Sequence, residues 1–213
     1  METKPTFAQK YPALKDILSF LCFVGAVALG TFVLNSFIFR SYNVIGGSME
    51  NTFHDGERVI VNRIPVSIAH FKGEEYVPER GQVIVFANGG NTSLTNCEAN
   101  PAVNDQYIIK RVIAFPGERV LVADGKLTVF NDEYPNGFEP DLETRKSEDD
   151  GPKTDVSGTV NMIVPAGELF VSGDNRVGQN SYDSRNGLGT IPYCRVVGPV
   201  ASRIWPFTKI RFF

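Results

Sequence analysis

The chain has 213 residues, 21 Lys plus Arg against 24 Asp plus Glu, and a net charge of −3. That length holds one domain of ordinary size plus an anchor, and a mean hydropathy of −0.10 excludes a multi-span membrane protein. So small a net charge gives no reason to expect a nucleic-acid partner, and the 16 Phe and 20 Gly suit strands and turns better than a helical bundle.

Residues 1–16 form a short N-terminal segment. Ile17–Phe39 then runs for 23 positions without a charged side chain. As a helix it would reach about 35 Å, enough to cross a hydrocarbon core of about 30 Å. A cleavable leader has a shorter apolar stretch of about 7–15 residues, so this segment reads as a retained anchor in contact with the lipid bilayer. Lys4, Lys10 and Lys15 precede it, with Glu2 and Asp16 as the acids. The positive-inside rule then predicts a cytoplasmic N-terminus and an exported domain over 40–213. Cys22 lies within the span and reads as an inert packing residue.

Beyond Tyr42, short Val- and Ile-rich runs alternate with turn signals. The predicted strands are Arg58–Arg63, Gln82–Ala87, Tyr107–Phe115, Arg119–Ala123, Lys126–Phe130, Glu168–Ser172 and Arg195–Ile204. Asp124-Gly125 between two of them predicts a hairpin. No helical periodicity of useful length follows residue 42. The expected fold is therefore mainly β, an antiparallel barrel-like domain on a single N-terminal transmembrane helix.

Ile64–Phe71 is apolar between charges and reads either as a membrane-surface dip or as a core-packing connection. Two segments read as insertions. One is polar and turn-rich, near 88–104. The other, 132–155, carries nine acidic against three basic residues and reads as a solvated loop. Cys97 and Cys194 both fall in the exported region, where they either form a disulfide or remain two separate thiols.

Three clusters carry chemistry. Val44-Ile-Gly-Gly-Ser-Met-Glu-Asn-Thr52 places Ser48 nine residues after the anchor, preceded by two glycines. Lys110 interrupts the apolar run YIIKRVIAF. On a strand it shares a face with Ile108 and Val112, and Arg111 with Ile109 and Ile113. A desolvated lysine can lose its proton whereas an arginine cannot, so Lys110 is the candidate base. The third cluster is Gly173-Asp-Asn-Arg176 with Ser181-Tyr-Asp-Ser-Arg185, dense enough in acids and arginines for an ion-paired support. The two histidines, His54 and His70, have no motif context, and no ligand spacing indicates a metal or cofactor.

Taken together and in this order, these clusters resemble the type I signal peptidase family of bacteria. The matching boxes are Ser48-Met49, Lys110 to Gly117 and Gly173 to Arg185, with Arg80–Phe86 as a fourth. The resemblance covers Ile17 to about Pro206. It implies a membrane-anchored serine endopeptidase that removes signal peptides from exported preproteins with small residues before the cut, in the plasma membrane with its catalytic domain outside.

By that resemblance Ser48 is the nucleophile, Lys110 the general base, and the Ser48 N–H an oxyanion donor. Ser181 holds the lysine, while Asp174, Arg176, Asp183 and Arg185 form a supporting network; Met49 is a candidate substrate contact. The sequence departs from the family at Asn51, where proline is usual, and at Gln82, where an acid is usual. At Gly46 some members place an oxyanion-hole serine. Four residues, Val177–Asn180, stand between Arg176 and Ser181 where two are usual. Such departures leave a second reading, an inactive anchored β-domain that binds exported chains.

Overall fold

The structure is a computed structural model that describes residues 12–88, 106–144, 152 and 155–213. Helix α1, Pro12–Val33, continues through a π-helical turn at Leu34–Ile38. Nothing in Ala13–Ile38 is buried, and the segment is long and apolar enough to cross a membrane. The chain then enters strand β1, Phe39–Asn43, so the last residue of the predicted span already belongs to the sheet.

The strands after β1 are β2 (Arg58–Asn62), β3 (Val83–Asn88), β4 (Gln106–Ala114), β5 (Arg119–Ala123), β6 (Lys126–Phe130), β7 (Val160–Ile163), β8 (Glu168–Ser172), β9 (Ile191–Pro192), β10 (Val196–Trp205) and β11 (Arg211–Phe212). All seven predicted strands are present, with ends shifted by one residue at most. A large antiparallel sheet runs β1-β2-β10-β3-β4-β8-β9, with β11 beside β10, and a small one runs β6-β5-β7. The large sheet curls without closing among the described residues. Its bend falls on β10, which pairs with β3 at one end and β2 at the other through three register shifts. Bulges of this kind increase local twist and turn a strand around a corner.

β5 and β6 form the expected hairpin. Asp124 and Gly125 both take left-handed backbone, φ 51° and 79°, as a two-residue turn matched to strand twist requires.

Among the described residues, three apolar clusters fill the interior. Met49, Phe53, Val59, Val61, Val85 and Val200 pack under the loop between β1 and β2. Ile84, Phe86, Val112, Leu169, Val171 and Ile191 lie on the other face of the large sheet. Ile113, Val120, Val129 and Phe170 join the small sheet to the large one. With clusters on both faces, β4 is buried over its whole C-terminal half.

Two expectations need correction. Against the expectation of no helical stretch after residue 42, Ile64–Lys72 is a nine-residue helix, α2, with proline in its first turn and Gly73 in left-handed backbone just past its end. Its start and stop signals were stronger than its periodicity. The acidic insertion is not wholly solvated: Phe138 pairs with Val129, and a short helix, α3 (Pro140–Thr144), brings Asp141 against the domain. The other insertion, near 88–104, lies outside the described residues except for Asn88. Cys194 is disulfide-bonded, Cys22 is free and exposed, and Cys97 lies outside the described residues.

Candidate active site

The Ser48 turn is held from below and from one side. Met49 and Phe53, both fully buried, plug it into the first cluster, and the Phe53 N–H donates to the Met49 carbonyl. Met49 is therefore not open to a substrate; burial makes it the peg of the turn. From the side, the Asn175 backbone N–H donates to the Ser48 carbonyl at 3.0 Å and the Asn175 side-chain amide to the Gly47 carbonyl at 3.1 Å. The Ser48 N–H has no acceptor among the described residues. The Gly46 N–H donates to the Asp55 carboxylate at 2.7 Å.

β4 delivers Lys110 to this turn. Its side chain is 3% exposed, with Nζ 2.8 Å from Ser48 Oγ and 2.9 Å from the Ile109 carbonyl. A neutral amine satisfies both contacts, donating to the carbonyl and accepting from the serine hydroxyl. Burial lowers the Lys110 pKa from 10.5 to about 8, against the opposing pull of Asp183 and Asp174.

Sequence periodicity placed Lys110 and Arg111 on opposite faces without saying which was buried. Both are, and pairing explains how. Arg111 stands opposite Ser172 in the register of β4 with β8, so its guanidinium meets the residues that follow β8. It binds Asp174 through two hydrogen bonds of 2.7 and 2.5 Å. The same carboxylate accepts from Thr52 Oγ1 at 2.5 Å. Arg111 and Thr52 thus belong to the site although neither was assigned to it; their nearness to Lys110 and Ser48 in sequence was the available signal.

Gly173–Arg185 closes the far side. Asp183 accepts from Ser172 Oγ, the Gly173 N–H, and the Arg185 backbone and guanidinium. Burial alone would raise its pKa, but bonding to Arg185 holds the carboxyl below its ordinary value. Arg185 also donates to the Arg176 and Ser157 carbonyls. Arg176, fully buried, bonds the Gly173 carbonyl and forms a bidentate pair with Asp141 at 2.5 and 2.7 Å. Asp141 was hidden in sequence by the acidic run around it.

Val177–Asn180 is exposed throughout, and the chain returns to a buried Ser181. The extra loop length is thus absorbed at the surface. A Cβ built on Gly173 would strike both Ser181 Oγ and the Ser48 carbonyl oxygen, which shows how tightly these three residues converge. Ser181 Oγ nevertheless makes no hydrogen bond to Lys110, and it is buried without a partner of ordinary geometry.

An open cleft of about 250 Å³ leads to Ser48 and Lys110 between Tyr42, Val44, Ile45 and Tyr182. A second hollow, lined by Trp205 and Phe207, adjoins it along Asn43–Ile45. Among the described residues, no group of three or more His, Cys, Asp or Glu is placed to hold a metal ion.

A serine hydroxyl on a buried amine at the end of a mostly apolar cleft, on an antiparallel β scaffold, suits a hydrolase that works without histidine. Residues 15–205 match the family described as signal peptidase, peptidase S26. The chain is 35% identical over 183 residues to signal peptidase I T of Bacillus subtilis, covering 84% of this chain and 80% of that protein. It is 31% identical over 212 residues to signal peptidase IB of Staphylococcus aureus, covering 93% and 94%. A crystal structure of a signal peptidase I from Enterococcus faecalis is similar over 58% of this chain and 96% of its own, with 26% identity and a TM-score of 0.35. The chain belongs to the signal peptidase family, peptidase S26.

Proposed function

We propose that this protein is a membrane-anchored endopeptidase that removes N-terminal signal peptides from exported preproteins, with Ser48 as nucleophile and Lys110 as general base. The observation that carries the proposal is the 2.8 Å approach of Lys110 Nζ to Ser48 Oγ with the lysine 3% exposed. In this reading Ala13–Ile38 spans the bilayer, the N-terminus is cytoplasmic, and the cleft opens on the outer side.

Ser48 Oγ attacks the scissile carbonyl carbon as its proton passes to Lys110 Nζ. The unengaged Ser48 N–H is the donor for the developing oxyanion, where a fixed dipole acts most strongly. The Gly46 N–H is occupied by Asp55 and does not serve as the second donor. As the carbon–nitrogen bond breaks, Lys110 returns its proton to the departing amine and leaves an acyl-serine. Water then attacks the ester with Lys110 again taking the proton, which frees the signal peptide and regenerates the serine. The apolar walls at Val44, Ile45 and Tyr42 suit small side chains before the cut.

The test is cleavage of a preprotein with alanine-x-alanine before its junction by the full-length protein in detergent. Wild type cuts at the junction and Ser48→Ala does not. Cutting by both would overturn the assignment of the nucleophile.

The Gly173 contacts give a further prediction. Gly173→Ala drives a methyl group into Ser181 and the Ser48 carbonyl, and a nucleophile displaced by about 1 Å costs on the order of 100-fold in rate. We expect kcat to fall by about that factor with little change in KM. Wild-type kcat in this variant would show that the turn adjusts freely.

A further inference from the structure

Helix α2 presents an apolar stripe to solvent at the foot of the anchor. None of its residues is fully buried. Ile64, Ile68 and Phe71 are 39%, 49% and 80% exposed, and their i, i+4, i+7 spacing puts them on one face. Pro65, Val66 and Ala69 are half-buried on the other side.

The helix is fastened to the end of the apolar segment. Ser67 Oγ donates to the Phe37 carbonyl at 2.9 Å. Arg63, at the N-cap of α2, donates its guanidinium to the Ser36 carbonyl at 2.5 Å and its backbone N–H to the Ile38 carbonyl at 2.8 Å. The rings of Phe37 and Phe71 stack 6.4 Å apart. Phe37 and Phe39 are themselves exposed. The stripe on α2 therefore continues the lipid-facing surface of the anchor at its exit level. His70 and Lys72 in the last turn add basic side chains beside it, the composition of a helix that lies in an interface.

We propose that α2 lies in the plane of the outer membrane surface, its Ile64–Ile68–Phe71 face set into the headgroup boundary, as a second attachment of the domain. This rests on the reading of Ala13–Ile38 as a membrane span. A single helix leaves a domain free to swivel about the chain exit. A helix bonded to that exit and seated in lipid removes the swivel and fixes the height of the cleft above the bilayer.

The experiment uses the full-length protein in vesicles of phosphatidylcholine and phosphatidylglycerol. Trp205, the only tryptophan, is first changed to phenylalanine. Phe71→Trp then reports on α2, and Phe23→Trp, near the middle of the apolar segment, reports on the anchor. Lipids brominated high on the acyl chain should quench at least about half of the Phe71→Trp emission, given a burial of roughly 5–10 Å for interfacial helices. Lipids brominated near mid-bilayer should quench Phe23→Trp more strongly. Quenching at position 23 with none at 71, and free access of aqueous iodide to 71, would overturn the proposal while leaving the anchor intact. Loss of quenching at both positions would overturn the membrane span and the proposal with it.

Discussion

Lys110→Arg is expected to cut preprotein about 10²–10⁴-fold more slowly than wild type, the range a positioned general base supplies. The substitution keeps the positive charge, so an electrostatic role for the lysine would survive it. A base would not, because a guanidinium does not give up its proton in the accessible pH range. Lys110→Met, of similar length and without charge, separates this loss from the strain of fitting a larger head group: it should be as inactive and as well folded.

The pH profile carries the same argument. Burial lowers the Lys110 pKa to about 8, and the working form is the neutral one. Lowering the pH protonates the amine, so wild-type kcat/KM should fall about tenfold per unit below about pH 8 and level off above it. A profile flat from pH 8 down to pH 5, or full activity in Lys110→Arg, would remove the lysine from the reaction. The residual activity of Lys110→Arg should lack the rise.

The seven strand runs were legible because each is a short Val- and Ile-rich stretch between turn signals that buries at least one face, and the Asp124-Gly125 turn because its residue types match its backbone. β1 and β7 were not. Phe39–Asn43 follows the anchor without a break in chain and mixes Arg, Ser and Asn with its aromatics, while Val160–Ile163 is four residues long with two of them exposed. Both owe their strand conformation to the neighbours they pair with, β2 and β5. α2 was missed for the opposite reason: its apolar residues surround the helix, and only Pro65 and Gly73 mark its ends.

Within the site, Lys110 could be singled out because a lysine interrupts an apolar strand, whereas Ser48, in an ordinary Gly-Gly-Ser turn, was marked by its resemblance to the signal peptidase boxes. Asn175, which grips the Gly47 and Ser48 carbonyls, sat unremarked inside the Gly173–Arg176 box. Asp141 could not be found, since its pairing with Arg176 joins positions 35 apart and nothing in the acidic run distinguishes it. A sequence reveals which residues are unusual; it does not reveal which ordinary residues fold up against them.

Asp174→Ala should be among the most destabilising single changes in the domain. Its carboxylate is fully buried and neutralises the guanidinium of Arg111, itself 8% exposed. Removing it leaves that charge with the Gly81 carbonyl and Thr52 Oγ1 as its remaining acceptors. A buried charge stripped of its partner costs about 3–5 kcal/mol, which for a chain of this size lowers the melting temperature by roughly 10 °C. Thermal unfolding of the detergent-solubilised protein at neutral pH measures it. Asp174→Asn keeps the volume and one acceptor oxygen, so it should lose less. An unchanged melting point in Asp174→Ala would mean that Arg111 finds water or another acceptor, and that the pair is not a structural clamp. The position of the pair makes a second demand. Arg111 adjoins Lys110 on β4, and Asp174 adjoins the Asn175 that holds the Ser48 carbonyl. One ion pair therefore ties the strand carrying the amine to the turn carrying the hydroxyl. Loss of activity in Asp174→Ala should then exceed loss of folded protein when both are measured well below its melting temperature, because a 2.8 Å contact between two elements fails before either element unfolds.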